Sequence, residues 1–190
     1  IAHKRYDTLA YKIDRNGKLT MMGAEPAQKK RDWSSSQEVL DSIKTAKIII
    51  RGADDLSELL SECHNLESVD FSGTETKYVK NFDQMFYECS SLKSVNLSGF
   101  DTGNATTMSA MFSGCKSLKN VDLSGFHTEK VYDMSRLFFE CTALESVNLS
   151  SFDTSNVKRM SYMFYGCHKL TSLPVGGFNT SSVRALSETQ

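Results

Sequence analysis

The sequence predicts an α/β solenoid, in which short parallel strands stack on one face and short helices on the other. Three observations predict this fold class. Five cysteines lie at positions 63, 89, 115, 141 and 167, each 26 residues after the one before. Apolar residues recur in register with them, and their spacing changes within each unit from a period of two to helix-like steps of three and four. One such unit cannot bury its apolar side alone, so consecutive units must stack around a shared core.

The chain is predicted to begin with a β-hairpin, the first part of an N-terminal cap over residues 1–62. Two apolar segments, 9–13 and 18–22, flank the Asn16-Gly17 pair. An Asn-Gly pair between two apolar segments is a strong signal for a tight hairpin turn.

The rest of the cap is predicted to contain a loop, a helix and a degenerate first repeat. Residues 23–35 are rich in small and charged side chains, which is typical of a loop. Ser36 is a suitable N-cap for a short helix over 36–43, and the apolar segment 46–52 is a strand. We expect the cap to cover the open sheet edge of the first unit, because an exposed edge promotes aggregation.

Residues 63–190 are predicted to form the solenoid itself. Four full units and a truncated fifth follow one another: 63–88, 89–114, 115–140, 141–166 and 167–190. In the fourth unit Val147 and Leu149 flank Asn148, as in a half-buried strand. The apolar side chains at 160, 163, 164 and 167 then share one face of a predicted helix. In three units a residue suited to an N-cap precedes that helix: Asn81, Thr107 and Asp133.

Composition excludes two classes of partner. The formal net charge is −1, from 22 Lys plus Arg and 23 Asp plus Glu, so there is no basic surface for nucleic acid. Apolar runs such as residues 48–50 are far too short to span a bilayer, so no membrane span is expected. The chain starts at Ile1 and not at Met, which indicates a mature or excised fragment with its targeting and anchoring signals outside it.

The repeat motif resembles that of a known family. The segments LSGFDTGNATTMSAMFSGCKSL and LSSFDTSNVKRMSYMFYGCHKL closely resemble the repeat of BspA-like leucine-rich-repeat surface proteins of bacteria. The shared pattern is a leucine strand, then F-D-T-S-N-V, then M-S-x-M-F-x-G-C, and it covers residues 63–190. The resemblance implies a right-handed leucine-rich-repeat coil in an extracellular or wall-displayed protein that binds host or neighbouring-cell molecules.

The cysteines are predicted to be buried, reduced thiols of the core, in preference to disulfides, metal ligands or a nucleophile. In-register side chains of stacked units run parallel, which suits a disulfide poorly, and an odd number leaves one thiol unpaired. His64 and His168 lie four units apart, roughly 19 Å at the strand-to-strand spacing, which is too far for one metal ion. The sequence therefore predicts no metal, no cofactor and no catalytic residue.

The candidate partner-binding residues lie outside the apolar positions. One predicted row of polar side chains faces outward from the strands: Asp70, Asn96, Asp122 and Asn148. Three tyrosines also fall outside the apolar pattern: Tyr132, Tyr162 and Tyr165. Tyrosine is enriched at interaction hot spots, although aromatic packing along a helix surface explains the same pattern equally well. The polar row, with a second row of threonines at the turn, can instead bond to the backbone or bind calcium weakly.

These features favour a non-catalytic, adhesin-like interaction module of the cell surface. It is expected to act as a monomer and to bind a protein or extracellular-matrix ligand. Two alternatives stay open, a structural spacer that displays another domain and a carbohydrate-binding module. An enzyme is not predicted, because a solenoid lacks the deep pocket that most enzymes use.

Overall fold

The chain folds into a solenoid with parallel strands along one face. The computed structural model describes residues 4–6, 9–24, 36–172 and 175–183. The elements in chain order are β1 (Lys4–Tyr6), β2 (Leu9–Ile13), β3 (Lys18–Ala24), α1 (Gln37–Asp41), β4 (Thr45–Arg51), β5 (Ser68–Asp70), β6 (Ser94–Val95), β7 (Asn120–Asp122) and β8 (Ser146–Asn148). Strands β1 to β6 form one sheet in that order, and β7 and β8 form a second. The predicted solenoid with parallel strands is thus confirmed.

The predicted hairpin is formed by β2 and β3, which pair antiparallel. Its loop contains three residues, since the Asp14 N–H donates to the Lys18 carbonyl oxygen and the Gly17 N–H donates to the Asp14 carbonyl oxygen, both at 3.1 Å. Gly17 has a φ of 78°, and a Cβ at this position would lie 2.3 Å from the Ser42 carbonyl oxygen. Glycine is therefore required here both by the left-handed backbone and by the close approach of the chain after α1.

Strand β3 joins the hairpin to the first coil of the solenoid. It pairs in parallel with β4 along its whole length, from Lys18 opposite Thr45 to Ala24 opposite Arg51. Met21 and its partner Ile48 are completely buried, whereas Met22 on the other face of the strand is 50% exposed. Strand β4 is the strand predicted over residues 46–52, and it pairs in parallel with β5.

The short helix predicted after Ser36 is also confirmed. Ser36 has an extended backbone at the N-cap position, and α1 begins at the next residue. Leu40 of α1 and Ile43 after it are buried in the core. The loop predicted over 23–35 is only partly testable, because residues 23 and 24 belong to β3 and the others lie outside the described residues.

The helix predicted in each repeat is replaced by consecutive four-residue turns. We call these segments the tandem turns: residues 56–63, 82–89, 108–115, 134–141 and 160–167. In the second of them the Met85 N–H donates to the Phe82 carbonyl oxygen, and the Cys89 N–H donates to the Phe86 carbonyl oxygen. The third residue of each such turn has a positive φ, 57° at Gln84 in this example. Among the described residues, the repeats contain no helix.

The helical prediction failed because two backbone conformations place the same residues inside. Tandem four-residue turns and a helix both bury side chains at steps of three and four. The N–H groups of Phe82, Gln84 and Phe86 donate to carbonyl oxygens of the next unit, at 3.1, 2.9 and 2.9 Å. A helix beginning at Phe82 would use the Phe86 N–H internally, since only the N–H groups of its first turn lack an intrahelical acceptor. Stacking of the coils therefore selects the turns over the helix.

Two of the three residues predicted as helix N-caps, Asn81 and Asp133, keep a capping role in these turns. The third, Thr107, donates its hydroxyl to the Asp83 carboxylate, which itself accepts the Ser109 N–H at 2.7 Å. The Asn81 side-chain oxygen accepts the Asp83 N–H at 2.9 Å, and the Asp133 carboxylate accepts the Ser135 N–H at 2.9 Å. They therefore begin a turn and not a helix. Arg159 interrupts this row, and its guanidinium group pairs with the Asp133 carboxylate at 3.3 Å.

The core runs along the whole array as ladders of identical side chains. Four phenylalanines of successive tandem turns stack almost parallel, with ring centroids 5.4, 5.5 and 5.6 Å apart: Phe86, Phe112, Phe138 and Phe164. Their contact extends the burial from one coil to the next. The in-register apolar positions of the sequence are thus confirmed as the core.

Candidate interaction surface

The outward-facing polar row is exposed, as predicted, and each member is bonded to its own turn. The four side chains accept the N–H of the serine two residues later, at 2.8 to 3.1 Å: Asp70, Asn96, Asp122 and Asn148. The Lys47 ammonium group also pairs with Asp70 at 2.5 Å. Hydrogen bonds from Lys47 and from Ser72 lower the pKa of Asp70 to about 2. One oxygen of each side chain thus supports the turn after the strand.

The first four members of the threonine row are buried, and the fifth, Thr180, is exposed. Thr102 shows the arrangement, because its hydroxyl donates to the His127 carbonyl oxygen at 3.0 Å and accepts the His127 N–H at 2.8 Å. The same pair of hydrogen bonds, one donated and one accepted by the hydroxyl, recurs at three further threonines: Thr76, Thr128 and Thr154. These four threonines therefore link successive coils and offer no hydroxyl to a partner.

All five cysteines are buried free thiols, as predicted. The Cys115 thiol donates to the Phe86 carbonyl oxygen of the preceding coil at 3.2 Å, and the Cys141 thiol to the Phe112 carbonyl oxygen at 3.0 Å. Burial raises the pKa of both thiols well above the ordinary value and raises that of Cys167 to about 11. A protonated, buried thiol is neither a nucleophile nor a metal ligand at neutral pH. In the described ranges, no three His, Cys, Asp or Glu side chains are grouped to hold a metal ion.

His64 contributes to the join between α1 and the repeats. Its Nδ1 atom lies 2.9 Å from the Asp41 carboxylate, which also accepts a hydrogen bond from Gln37 at 2.9 Å. The Asn65 amide donates to the Asp41 carbonyl oxygen at 2.7 Å. These contacts attach the helix end to the first full unit and give His64 a structural partner.

A cluster of three aromatic rings and one guanidinium group lies on the last two tandem turns, with Arg136 and Tyr165 exposed and the other two side chains half-buried. We call it the aromatic patch: Arg136, Phe139, Tyr162 and Tyr165. Phe139 and Tyr165 stack at 5.3 Å between centroids with an interplanar angle of 13°. Tyr162 meets both rings edge-on, at 6.4 and 6.0 Å. The Arg136 guanidinium lies 5.9 Å from the Phe139 ring centre and 5.8 Å from that of Tyr162.

The tandem turns fix the positions of these four side chains. Arg136 and Tyr162 stand at the same place in consecutive units, both with a positive φ, at 57° and 59°. Phe139 and Tyr165 follow three residues later in each unit. Hydrogen bonds between the coils join the two turns, for example from the Arg136 N–H to the Ser161 carbonyl oxygen at 2.9 Å. The patch is therefore built on backbone that is bonded along both of its turns.

The structure brings together two of the three tyrosines predicted to bind a partner. Tyr162 and Tyr165 are in the aromatic patch, whereas Tyr132 is exposed at a different turn and makes no ring contact with them. Arg136 was missed by the sequence reasoning, which looked for aromatic residues alone. Alignment of the 26-residue units contains the missing signal, because Arg136 takes the repeat position of Tyr162 and Phe139 takes that of Tyr165.

No helix in the described ranges is long and apolar enough to cross a membrane.

Solved structures that are similar to this chain include three leucine-rich-repeat proteins. One is a leucine rich cell surface protein from Faecalibacterium prausnitzii, with 16% identity, a TM-score of 0.46, and coverage of 97% of this chain and 55% of that chain. Another is a leucine rich repeat protein of T. pallidum, with 15% identity, a TM-score of 0.43, and coverage of 89% and 91%. A leucine-rich repeat protein from Eubacterium ventriosum shows 12% identity, a TM-score of 0.26, and coverage of 94% and 90%. This chain thus spans about half the length of the Faecalibacterium protein.

A family model matches most of the repeat array. No curated protein matches the sequence. The model described as "Mycoplasma protein of unknown function, DUF285" matches residues 54–147 and 119–189. These two stretches together include the five cysteines, every tandem turn and the whole aromatic patch. The 26-residue unit that predicted the solenoid is therefore shared with this family, and the chain belongs to the Mycoplasma proteins of unknown function, DUF285.

Proposed function

We propose that the chain is a non-catalytic interaction module of the bacterial cell surface, which binds a protein of a host, a neighbouring cell or the extracellular matrix. The observation that carries the proposal is the partly exposed aromatic patch on the last two tandem turns. None of the comparisons indicates an enzyme family. We further propose that the module acts as a monomer.

The composition of the patch supports a protein partner. Tyrosine and arginine are the residues that most often form hot spots, since each combines a large apolar surface with hydrogen-bonding groups. Tyr165 is 39% exposed, so part of its ring is accessible to a partner. Because the rings already pack against one another, binding would order few additional side-chain torsions.

A secondary contact area is proposed on the sheet side, where the exposed polar row presents its free oxygens and amides to solvent. Tyr132 is proposed as a peripheral contact, since it is 42% exposed and lies outside the patch. These residues would make polar contacts apart from the aromatic patch, and such contacts contribute less to affinity than an aromatic cluster does.

The proposal is tested by binding of the chain to a panel of purified extracellular-matrix and host-surface proteins, measured by biolayer interferometry. The repeat supplies conservative variants, because Ala110 and Ser113 occupy the positions of Tyr162 and Tyr165 in an earlier unit. We expect Tyr162→Ala with Tyr165→Ser to weaken binding at least tenfold, since loss of hot-spot rings has effects of this order.

The matched control is Tyr78→Asn, at an exposed tyrosine outside the patch whose position holds Asn104 and Asn156 in other units. This variant is expected to change affinity by less than about twofold. Failure of the wild-type chain to bind any protein of the panel, or equal effects of the patch and control variants, would contradict the proposed function.

A carbohydrate-binding role is the second candidate, and the stacked pair of Phe139 and Tyr165 supports it. Sugar rings pack their apolar faces against exposed aromatic rings, and Tyr165 presents such a ring to solvent. A glycan array separates the two candidates. Binding to glycans that depends on Tyr165, without binding to any protein of the panel, would favour the carbohydrate role.

A further inference from the structure

We propose that the aromatic patch recognises a carboxylate on the partner protein, an Asp or Glu side chain next to an apolar residue, and that Arg136 is the residue that takes it. This inference rests on the proposed function and adds the chemistry of the partner. The apolar neighbour would pack on Tyr165 while the carboxylate meets the guanidinium group.

The first argument is that Arg136 has no anionic partner. Its guanidinium group contacts the Phe139 and Tyr162 rings but forms no hydrogen bond or ion pair with any residue that the structure describes. The next arginine along the chain, Arg159, is by contrast paired with Asp133 at 3.3 Å. Arg136 is thus an exposed cation whose donors are available to a ligand.

The carboxylate that follows Arg136 in the same tandem turn, Glu140, is directed towards the next unit. Glu140 has a positive φ of 57°, and its side chain lies along Gly166 of the next unit. A Cβ on Gly166 would be only 2.9 Å from the Glu140 carboxyl carbon, so the absence of a side chain there provides the space. Glu140 therefore leaves the guanidinium group open to an external anion.

The rings prepare the guanidinium group for a carboxylate. Contact with two aromatic rings restricts its orientation and removes part of its hydration, which strengthens a later ion pair. A guanidinium fork binds a carboxylate by two parallel hydrogen bonds, whereas an ammonium group acts as a point charge. The geometry therefore favours a planar anion such as a carboxylate.

The local charge is also complementary to an acidic partner. Residues 160–169, which form the last tandem turn and its exit, contain no acidic side chain and include His168 and Lys169. Lys158 and Arg159 come directly before them. Arg159 is paired with Asp133 and Glu140 lies along Gly166, so the cations here without an ion pair among the described residues are Arg136, Lys158 and Lys169. An excess of positive charge at the patch would increase the association rate of an acidic segment and repel a basic one.

The test uses a phage-displayed library of random 12-residue peptides selected on the immobilised chain. Selected peptides are synthesised in two forms, one with the acidic residue and one with Asn or Gln in its place, and both are measured by calorimetry. We expect the selected peptides to share an Asp or Glu beside an apolar residue. The amide forms and the Arg136→Gln variant should each weaken binding at least tenfold.

The variants are chosen so that the fold is kept. Gln84 occupies the repeat position of Arg136 with the same φ of 57°, so the turn accepts glutamine there. Arg136→Lys keeps the charge but loses the forked pair of donors. We expect its affinity for the peptide to lie between that of wild type and that of the glutamine variant. Lys116→Gln, at an exposed lysine of the third unit, serves as the matched charge control and should leave affinity within about twofold.

Three outcomes would overturn the inference. They are a selection without acidic enrichment, equal binding to Arg136→Gln, and equal binding of the acidic and amide peptides. If protein partners from the panel still bind through Tyr162 and Tyr165 in that case, the proposed function stands and only the carboxylate recognition fails. Arg136-dependent binding to acidic glycans, with no acidic peptide selected, would likewise overturn the inference in favour of a carbohydrate ligand.

Discussion

Buried threonines act as cross-links between neighbouring coils. Thr128 donates its hydroxyl hydrogen to the Asp153 carbonyl oxygen at 2.9 Å and accepts the Asp153 N–H at 2.8 Å. Its side chain is completely buried, so water cannot easily replace it. The regular row of threonines predicted bonding to backbone groups, and the structure confirms it. The sequence did not show that a single hydroxyl forms hydrogen bonds with both the N–H and the carbonyl oxygen of one residue in the next coil.

This double role predicts a large effect of an isosteric substitution. Thr128→Val keeps the side-chain shape but leaves the Asp153 N–H and carbonyl oxygen without their partner. We expect the free energy of unfolding in urea to fall by about 2–4 kcal/mol. Thr128→Ser keeps the hydroxyl and loses one methyl group, so it should cost only about 1 kcal/mol. A valine variant as stable as the serine variant would show that the hydroxyl contributes nothing to the stacking.

The tandem turn is the element that the sequence described least well. Apolar spacing of three and four residues predicted a helix. The side chains that this spacing assigned to the core are buried in it. The backbone differs, because N–H groups such as that of Gln84 donate to the next coil. This choice depends on a neighbouring coil that lies 26 residues away in the sequence, so local propensity could not show it.

Glycine at the end of a tandem turn gives a test of this element. Gly114 has a φ of 76°, and a Cβ at this position would lie 2.6 Å from the carboxyl carbon of Glu88. We expect Gly114→Ala to lower the free energy of unfolding by about 1–2 kcal/mol, from left-handed backbone strain and displacement of the glutamate. Gly125→Ala is the control, because no atom lies within 4 Å of its Cβ, and its effect should stay below about 1 kcal/mol.

The two causes can be separated in a Glu88→Ala background. Without the carboxylate, Gly114→Ala should retain only the backbone strain and lose part of its effect. An identical effect in both backgrounds would assign all of the cost to the left-handed conformation. A helix at this position would instead be stabilised by alanine, so a stabilising Gly114→Ala variant would contradict the tandem turn.

At the scale of the whole molecule, one continuous sheet from β1 to β6 joins the hairpin to the first coils of the solenoid. Strand β3 extends the parallel ladder beyond the first coil, with Met21 opposite Ile48 at its centre. We propose that residues 1–62 act in this way as a cap that covers the edge of β4. An uncovered β4 would present unpaired N–H and carbonyl groups to other chains.

Two methionines of β3 test the capping proposal. Met21 is completely buried, whereas its neighbour Met22 is 50% exposed. Met21→Ala should lower the free energy of unfolding by about 2–4 kcal/mol and produce self-association measurable by light scattering, since the hairpin would separate from β4 more often. Met22→Ala should cost less than about 1 kcal/mol and leave the chain monomeric. Equal behaviour of the two variants would show that β3 does not protect the edge.

The 26-residue period by itself determined the solenoid, the parallel strands, the buried thiols and which side chains enter the core. These properties follow from register alone, because identical positions of stacked units must meet identical neighbours. Only the tertiary structure decided the turn conformation, the parallel junction of β3 with β4 and the assembly of the aromatic patch. Each of these depends on hydrogen bonds or ring contacts between different coils. Arg136 and Tyr162 are 26 residues apart in the chain and become neighbours only because consecutive coils stack.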